Sequence, residues 1–343
     1  MEKLISFAVP SYNSQNYLKT CVESLLIAGD DVEIIIVNDG STDDTAKIAD
    51  AYAEKYPNIV RAVHKENGGH GSGVNKGLEL ATGLYYKVVD SDDWLDADAL
   101  KAFIATIKEH VAAGNIHDAY ITNFVYEHVQ DGTRKVSEYR NKIPVRRTFS
   151  WEETKSLTSW HMFLMHSLLY KTSLLKETGV VLPEHTFYVD NVFAYTPMPY
   201  AKKLFYLDVD LYRYYIGRAD QSVTIDNIVK RYDQQARCTS ILFKAHTYEE
   251  IQSFSKPLQK QLYHFLDAIL MNTYFFTTAK DSPERRATLK KLWADLKETD
   301  VKLYKKLRRL PKVAFINILP WKLKGWLSTR VYLYLCKHVK LGW

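Results

Sequence analysis

The feature that most constrains this chain is the alternation of short apolar runs with amphipathic stretches over its first hundred residues. LISFAV (Leu4 to Val9) is broken by PSYNS, and a helix is expected from Asn16 to Ala28, where Leu18, Val22, Leu25 and Leu26 recur at helical spacing. VEIIIV (Val32 to Val37) is rich in β-branched apolar residues, as a strand buried on both faces should be. NDGSTDD then supplies turn residues, with Ser41 to Asp44 as N-cap candidates for a helix through Tyr56. IVRAVH (Ile59 to His64) reads as a third strand, ENGGHGSG as a glycine-rich loop, and Val74 to Ala81 as a helix. YYKVV (Tyr85 to Val89) is a fourth strand running into DSDDWLD. Strand–helix alternation of this kind implies right-handed crossovers and a parallel sheet, hence an α/β fold.

Each unusual polar cluster follows a strand: Pro10 to Ser14, Asp39, Asn67 to Ser72, and Asp90 to Asp93. In a parallel open sheet those loops share the carboxyl edge, where such folds bind ligands. Nicotinamide binding is excluded, because PSYNSQ carries no glycine after the first strand. A phosphate-binding P-loop is excluded as well: Gly68 and Gly73 have its spacing, but Val74 stands where lysine is required. What remains is acidic: Asp39, Asp90, Asp92 and Asp93. Asp90 and Asp92 are two apart, so in extended chain they point to one side. Grouped carboxylates suit Mg²⁺ or Mn²⁺ bridging to substrate phosphates, and without such a dication the crevice would repel a diphosphate.

VPSYN, VNDGSTDDT, N-G-G…VN-K-G…A-T-G and VVDSDDW, in this order and spacing, resemble the family 2 glycosyltransferases of bacterial polysaccharide type. The resemblance is specific over residues 4–100 and looser to about 224. It implies a GT-A fold, a Rossmann-like, mostly parallel sheet flanked by helices. It also implies metal-dependent transfer of a sugar (hexosyl or N-acetylhexosaminyl) from a nucleotide diphosphate donor, usually UDP-linked, with inversion. By the same resemblance, Pro10 to Tyr12 contact the base, Asp39 binds uracil, and Asn67 and Gly68 lie in the donor loop. Asp92 is the expected metal ligand, and Asp90 its companion nearer the ribose. Many members carry arginine near Val74; here Lys76, His70 or Lys87 is left to neutralise the diphosphate. An acid opening a helix beyond the central region serves as base. FYVDNVFAY supplies Asp190 for this role, with Val189 where the first acid of the family's acidic pair commonly stands and Glu184 and His185 as alternatives. The TSWHMFLMHSLLYKTSLL run resembles the segment upstream of that acid. LYRYYIGRADQSVT offers Arg213, Arg218 and Gln221 for diphosphate contact, since arginine's planar fork suits phosphate oxygens. The rival readings are a sugar nucleotidyltransferase, which PSYN argues against, and a non-catalytic GT-A scaffold or partner subunit.

Residues 1–224 are therefore expected to form the catalytic domain and 225–343 a helical region. In the latter, Ile241, Leu242, Ala245, Leu262, Phe265, Leu266, Ile269 and Leu270 read as core. The formal charge is +6, yet residues 1–100 hold 17 acids against 8 bases, and residues 301–343 hold 11 Lys and Arg with no acid. Without the tail the body carries −5, which argues against a nucleic-acid partner. On a helical wheel Leu323, Leu327, Val331, Tyr334 and Leu335 gather opposite Lys322, Lys337 and Lys340. This basic amphipathic pattern suits a membrane interface, and a lipid-linked or other glycan acceptor; packing on its own body or on a second copy of the chain is the alternative. Three separated cysteines and the lack of a basic leader or a spanning apolar run suggest a cytoplasmic protein, peripheral on the inner membrane face.

Overall fold

A computed structural model of the chain describes residues 3–155, 162–217 and 225–339. It divides into two compact units, Met1–Glu153 with Phe163–Tyr215, and Thr154–Met162 with Ile216–Trp343. The first unit begins with strands β1 (Ile5–Ser11), β2 (Val32–Asp39), β3 (Val60–Lys65) and β4 (Tyr85–Val88). Between them run helices α1 (Leu18–Leu26), α2 (Thr45–Lys55) and α3 (His70–Leu80). β5 (Trp94–Leu95), α4 (Ala97–Ala112), β6 (Ala119–His128), β7 (Thr133–Ser137), β8 (Thr148–Phe149) and β9 (Leu168–Lys171) follow. α5 (Thr172–Thr178), α6 (Asp190–Tyr195) and β10 (Leu204–Ile216) complete the unit.

The sheet order is β3-β2-β1-β4-β9-β6-β10-β5, with β7 on β6 and β8 on β10. β1 pairs parallel with both β2 and β4, and β2 parallel with β3, as the alternation requires. Ile34, Ile35, Ile36 and Val37 are fully buried; each such side chain stabilises by roughly 1.5–3 kcal/mol. Beyond β4 the sheet turns antiparallel, because β9 enters against β4 and β6 against β9. Helix α3 lies tight on β1. A Cβ on Gly77 would sit 2.5 Å from the Ala8 Cβ, so only glycine admits this approach.

The second unit is helical: α7 (Ile225–Lys230), α8 (Tyr232–Ala245), α9 (Tyr248–Ser253), α10 (Lys256–Thr278), α11 (Pro283–Thr299), α12 (Val301–Arg308), α13 (Pro311–Ile318) and α14 (Trp321–Val339). The long α10 is its spine. Leu262, Phe265, Leu266, Ile269 and Leu270 are buried there, together with Leu242 of α8. No described helix is long and apolar enough to cross a membrane.

The tail reads differently in three dimensions. On α14, Lys322, Leu323, Trp326 and Arg330 all face outward, while Ser328 is buried. Gly325 is where α14 meets α10, since a Cβ there would collide with the Thr278 carbonyl. Leu323 and Lys322 thus share one face instead of opposing each other. Lys324, a cation on the apolar side of the wheel, turns back to the Asn317 carbonyl at 3.3 Å. The side chains of Val331, Tyr334, Leu335, Lys337 and Lys340 lie outside the described residues.

Candidate active site

Side chains stitch the carboxyl-edge loops together. After β1, Asn13 donates its N–H to Ser41 Oγ (3.0 Å), and its Oδ1 accepts from the Thr42 N–H (2.9 Å). The Ser14 N–H donates to Thr45 Oγ1 at 2.7 Å, and the Ser14 and Ser91 hydroxyls meet at 2.7 Å, joining the first loop to the acidic turn after β4. Tyr12 stands 54% exposed at this edge, while Pro10 is buried under Gly73.

Asp39, at the end of β2, is 3% exposed and fully engaged by its own chain. Its Oδ1 accepts from Lys65 Nζ (2.8 Å) and the Gly68 N–H (2.9 Å), and its Oδ2 from the Gly69 N–H (2.7 Å). Asn67 Nδ2 donates to the Asp39 carbonyl at 2.8 Å. The amides that a P-loop would aim at phosphate are therefore turned on a carboxylate, which fixes the glycine-rich loop. Gly69 needs its positive φ of +81° to make that turn into α3.

The acidic turn after β4 is clasped from three sides. Asp90 Oδ1 lies 2.7 Å from His70 Nε2 at the start of α3, and Asp90 Oδ2 lies 3.8 Å from His166 Nε2, just before β9. Burial pushes the Asp90 carboxyl up, but the two imidazoles outweigh it and hold the group well below the usual carboxylate range. Burial lowers His70 in turn, and Asp90 more than reverses this, raising the imidazole. Asp93 accepts from the Tyr212 hydroxyl (2.5 Å) and the Tyr215 N–H (2.8 Å) of β10. Burial, with Asp92 and Asp90 beside it, pushes the Asp93 carboxyl far up.

Asp90, Asp93 and His166 each place a ligand atom within 4.8 Å of the others. His166 stacks on Tyr214 with ring centroids 4.6 Å apart, and its Nδ1 is buried with no hydrogen-bond partner among the described residues. Two carboxylates with an under-satisfied imidazole fit a divalent cation, and the nitrogen makes Mn²⁺ a better match than Mg²⁺. This cluster contains Asp93 and His166 and not the expected Asp92, which is half-buried in the same turn. Sequence reasoning passed over His166 because it reads as one more position in a buried apolar run.

Asp190 opens α6 without capping it, since Val189 is the N-cap and no side-chain cap bond forms. Its Oδ1 accepts from Asn191 Nδ2 at 3.2 Å. Burial pushes its carboxyl up, against the pull of His166 and His70, so Asp190 lies within electrostatic reach of the clasped turn. The segment leading to it is fixed to α3. Asn75 Nδ2 donates to the Leu182 carbonyl (2.8 Å) and Asn75 Oδ1 accepts from the Leu182 N–H (2.9 Å), while the His185 N–H donates to the Gly68 carbonyl (2.7 Å). His185 and Tyr188 both have positive φ, at +46° and +66°. Strained backbone of this kind costs about 1–3 kcal/mol per residue and gathers at functional loops. Glu184 and His185, the alternative bases, are exposed in this segment.

Among the described residues considered as cations for the diphosphate, only His70 stands at the acidic turn. Lys76 pairs with Glu79 at 2.7 Å. Lys87 is buried and donates to the carbonyls of His166 (2.7 Å) and Leu168 (3.2 Å), and burial pulls its ammonium down to about 7. Arg213, expected at the diphosphate, instead grips Asp96 and Glu127, each at 2.9 Å. Arg218 and Gln221 lie outside the described residues.

These features define a GT-A-type fold with an acidic, carboxyl-edge crevice. The model of glycosyl transferase family 2 matches residues 6–173. A putative glycosyltransferase of Bacillus subtilis, EpsH, is 30% identical over 67% of this chain and 64% of its own length. An uncharacterized glycosyltransferase of Mycoplasma pneumoniae is 30% identical over 65% of this chain and 71% of its own. The crystal structure of Staphylococcus aureus TarS residues 1–349 in complex with UDP-GlcNAc superposes with a TM-score of 0.64 at 21% identity, covering 97% of this chain and 91% of that one. The chain spans somewhat less than two thirds of EpsH. It belongs to glycosyl transferase family 2.

Proposed function

We propose that the protein transfers a sugar from a nucleotide diphosphate donor, a UDP-sugar, to a glycan or lipid-linked glycan acceptor, with inversion at the anomeric carbon. The observation that carries this reading is the convergence of Asp90, Asp93, His70, His166 and Asp190 at the edge where the parallel strands end. The UDP-GlcNAc bound by TarS supports uridine diphosphate as the donor's leaving group.

Asp39 and the glycine-rich loop frame the nucleotide, with the exposed Tyr12 ring beside the base. Asp90, Asp93 and His166, with Asp92 from the same turn, are the residues that would hold Mn²⁺ or Mg²⁺. When bound, such an ion would offset the charge of the departing diphosphate, stabilisation worth several kcal/mol. His70, whose charged form Asp90 favours, adds positive charge near the same oxygens. Asp190 accepts the acceptor hydroxyl proton as the new bond from oxygen to the anomeric carbon forms and the bond to the diphosphate breaks. The transferred sugar is a hexose or N-acetylhexosamine, and the acceptor is met at the inner face of the membrane.

Donor hydrolysis and transfer, assayed with Mn²⁺ over a panel of nucleotide sugars, test this reading. Turnover of one UDP-sugar, lost on chelation, is expected. Silence across the panel from a folded protein would overturn it in favour of a scaffold.

A further inference from the structure

The last three helices carry a surface that the crevice chemistry does not use. α13 turns Phe315 (55% exposed) and Ile318 (79%) outward, one turn apart, while Val313 and Ile316 are buried beneath them. After Pro320, α14 turns out Leu323 (43%) and Trp326 (57%), with Gly325 and Ser328 toward α10. Large apolar side chains in consecutive outward rows are unusual on a solvated surface. Here they are interleaved with cations: Lys322 and Arg330 share the outward face of α14, and Arg330 lies 5.7 Å over the Trp326 ring. On α12, Lys305 and Lys306 are exposed, with Arg309 just beyond it, while Lys302 pairs with Glu249 at 2.7 Å. From Val301 onward the sequence contains 11 Lys and Arg and not one carboxylate side chain.

We propose that the outward faces of α13 and α14 dock on an anionic lipid bilayer. Phe315, Ile318, Leu323 and Trp326 would enter the headgroup–acyl boundary, and the surrounding cations would meet lipid phosphates. Charge complementarity alone would also admit an acidic protein face. The four apolar side chains, however, need hydrocarbon, and aromatic and cationic residues on one helix face are the composition of interfacial helices. No described helix is long and apolar enough to cross a bilayer, and the contact proposed for α13 and α14 is with its surface. The proposal rests on the reading above only for its purpose, which is to hold the crevice near a lipid-linked acceptor.

The test is flotation of the full chain with vesicles of phosphatidylcholine and phosphatidylglycerol, and with phosphatidylcholine alone. Binding to the anionic vesicles, weakened by salt, is expected. The pair Phe315→Ser and Trp326→Ser should reduce partitioning about tenfold or more, and Lys322→Glu with Arg330→Glu should do likewise. Both pairs change exposed residues, so circular dichroism and lipid-free donor hydrolysis should match the parent chain. Equal flotation of parent and variants would overturn the proposal. So would absence of flotation together with a dimer, seen by sedimentation, that Trp326→Ser dissolves. Normal flotation of a chain inactive on every donor would sink the catalytic reading and leave this surface standing.

Discussion

Asp90 and Asp190 are both half-buried carboxyls, and their surroundings drive them apart. Asp90 is ionised by the two imidazoles against it, whereas Asp190 is pushed upward by burial. That separation suits a binding carboxylate beside a proton acceptor. Asp190→Asn is expected to lower kcat by about 10²–10⁴ while sparing donor affinity, measured by turnover beside calorimetry. Since the base works ionised and its folded pKa is raised, the rate should fall as pH drops through a value above the ordinary aspartate range of about 3.9. The Asn variant's residual rate should lack that limb. Asp39 makes a different prediction. Replacing it with Asn removes the charge that Lys65 and two amides share, so a loss of about 1–3 kcal/mol in denaturant unfolding is expected, with weaker UDP binding. A variant with parent stability and parent affinity would remove Asp39 from both roles.

At the scale of elements, the parallel half of the sheet was legible because each buried strand is a continuous apolar run and each helix carries a periodic stripe. The acidic turn was legible for a related reason, since polar residues concentrate where parallel strands end. What was not legible depends on pairings distant in sequence. β9 enters antiparallel to β4 and brings His166 against Asp90, and nothing in the local pattern around His166 marks it. Arg213 misled because its partners, Asp96 and Glu127, come from other elements. The motif residue Asn75 was visible, but its task was not. It latches the Leu182 backbone and so fixes the strained segment before Asp190. Asn75→Ala should destabilise by about 1–3 kcal/mol, by leaving two backbone groups unpaired, and should lower kcat more than it raises the donor KM. An unchanged kcat would mean that α6 is held without this latch.

For the whole molecule, the clasped turn couples ligand binding to stability. Three carboxylates in one turn oppose each other, and burial, with that repulsion added to it, pushes the Asp93 carboxyl up. A dication would relieve that repulsion, and a diphosphate would be admitted with it. UDP and Mn²⁺ together should therefore raise the unfolding temperature well beyond either alone, the ligand contributing about 2.7 kcal/mol at a hundredfold excess over Kd. Additive, independent shifts in a thermal melt would show the two sites to be uncoupled.

The most direct measurement is a crystal structure of the full chain grown with UDP and Mn²⁺, with anomalous data collected at the manganese edge. An anomalous peak within coordination distance of the acidic turn, with the uridine lying along Tyr12 and Asp39, is the expected result. A peak elsewhere, or UDP seated away from that turn with no metal bound there, would contradict it.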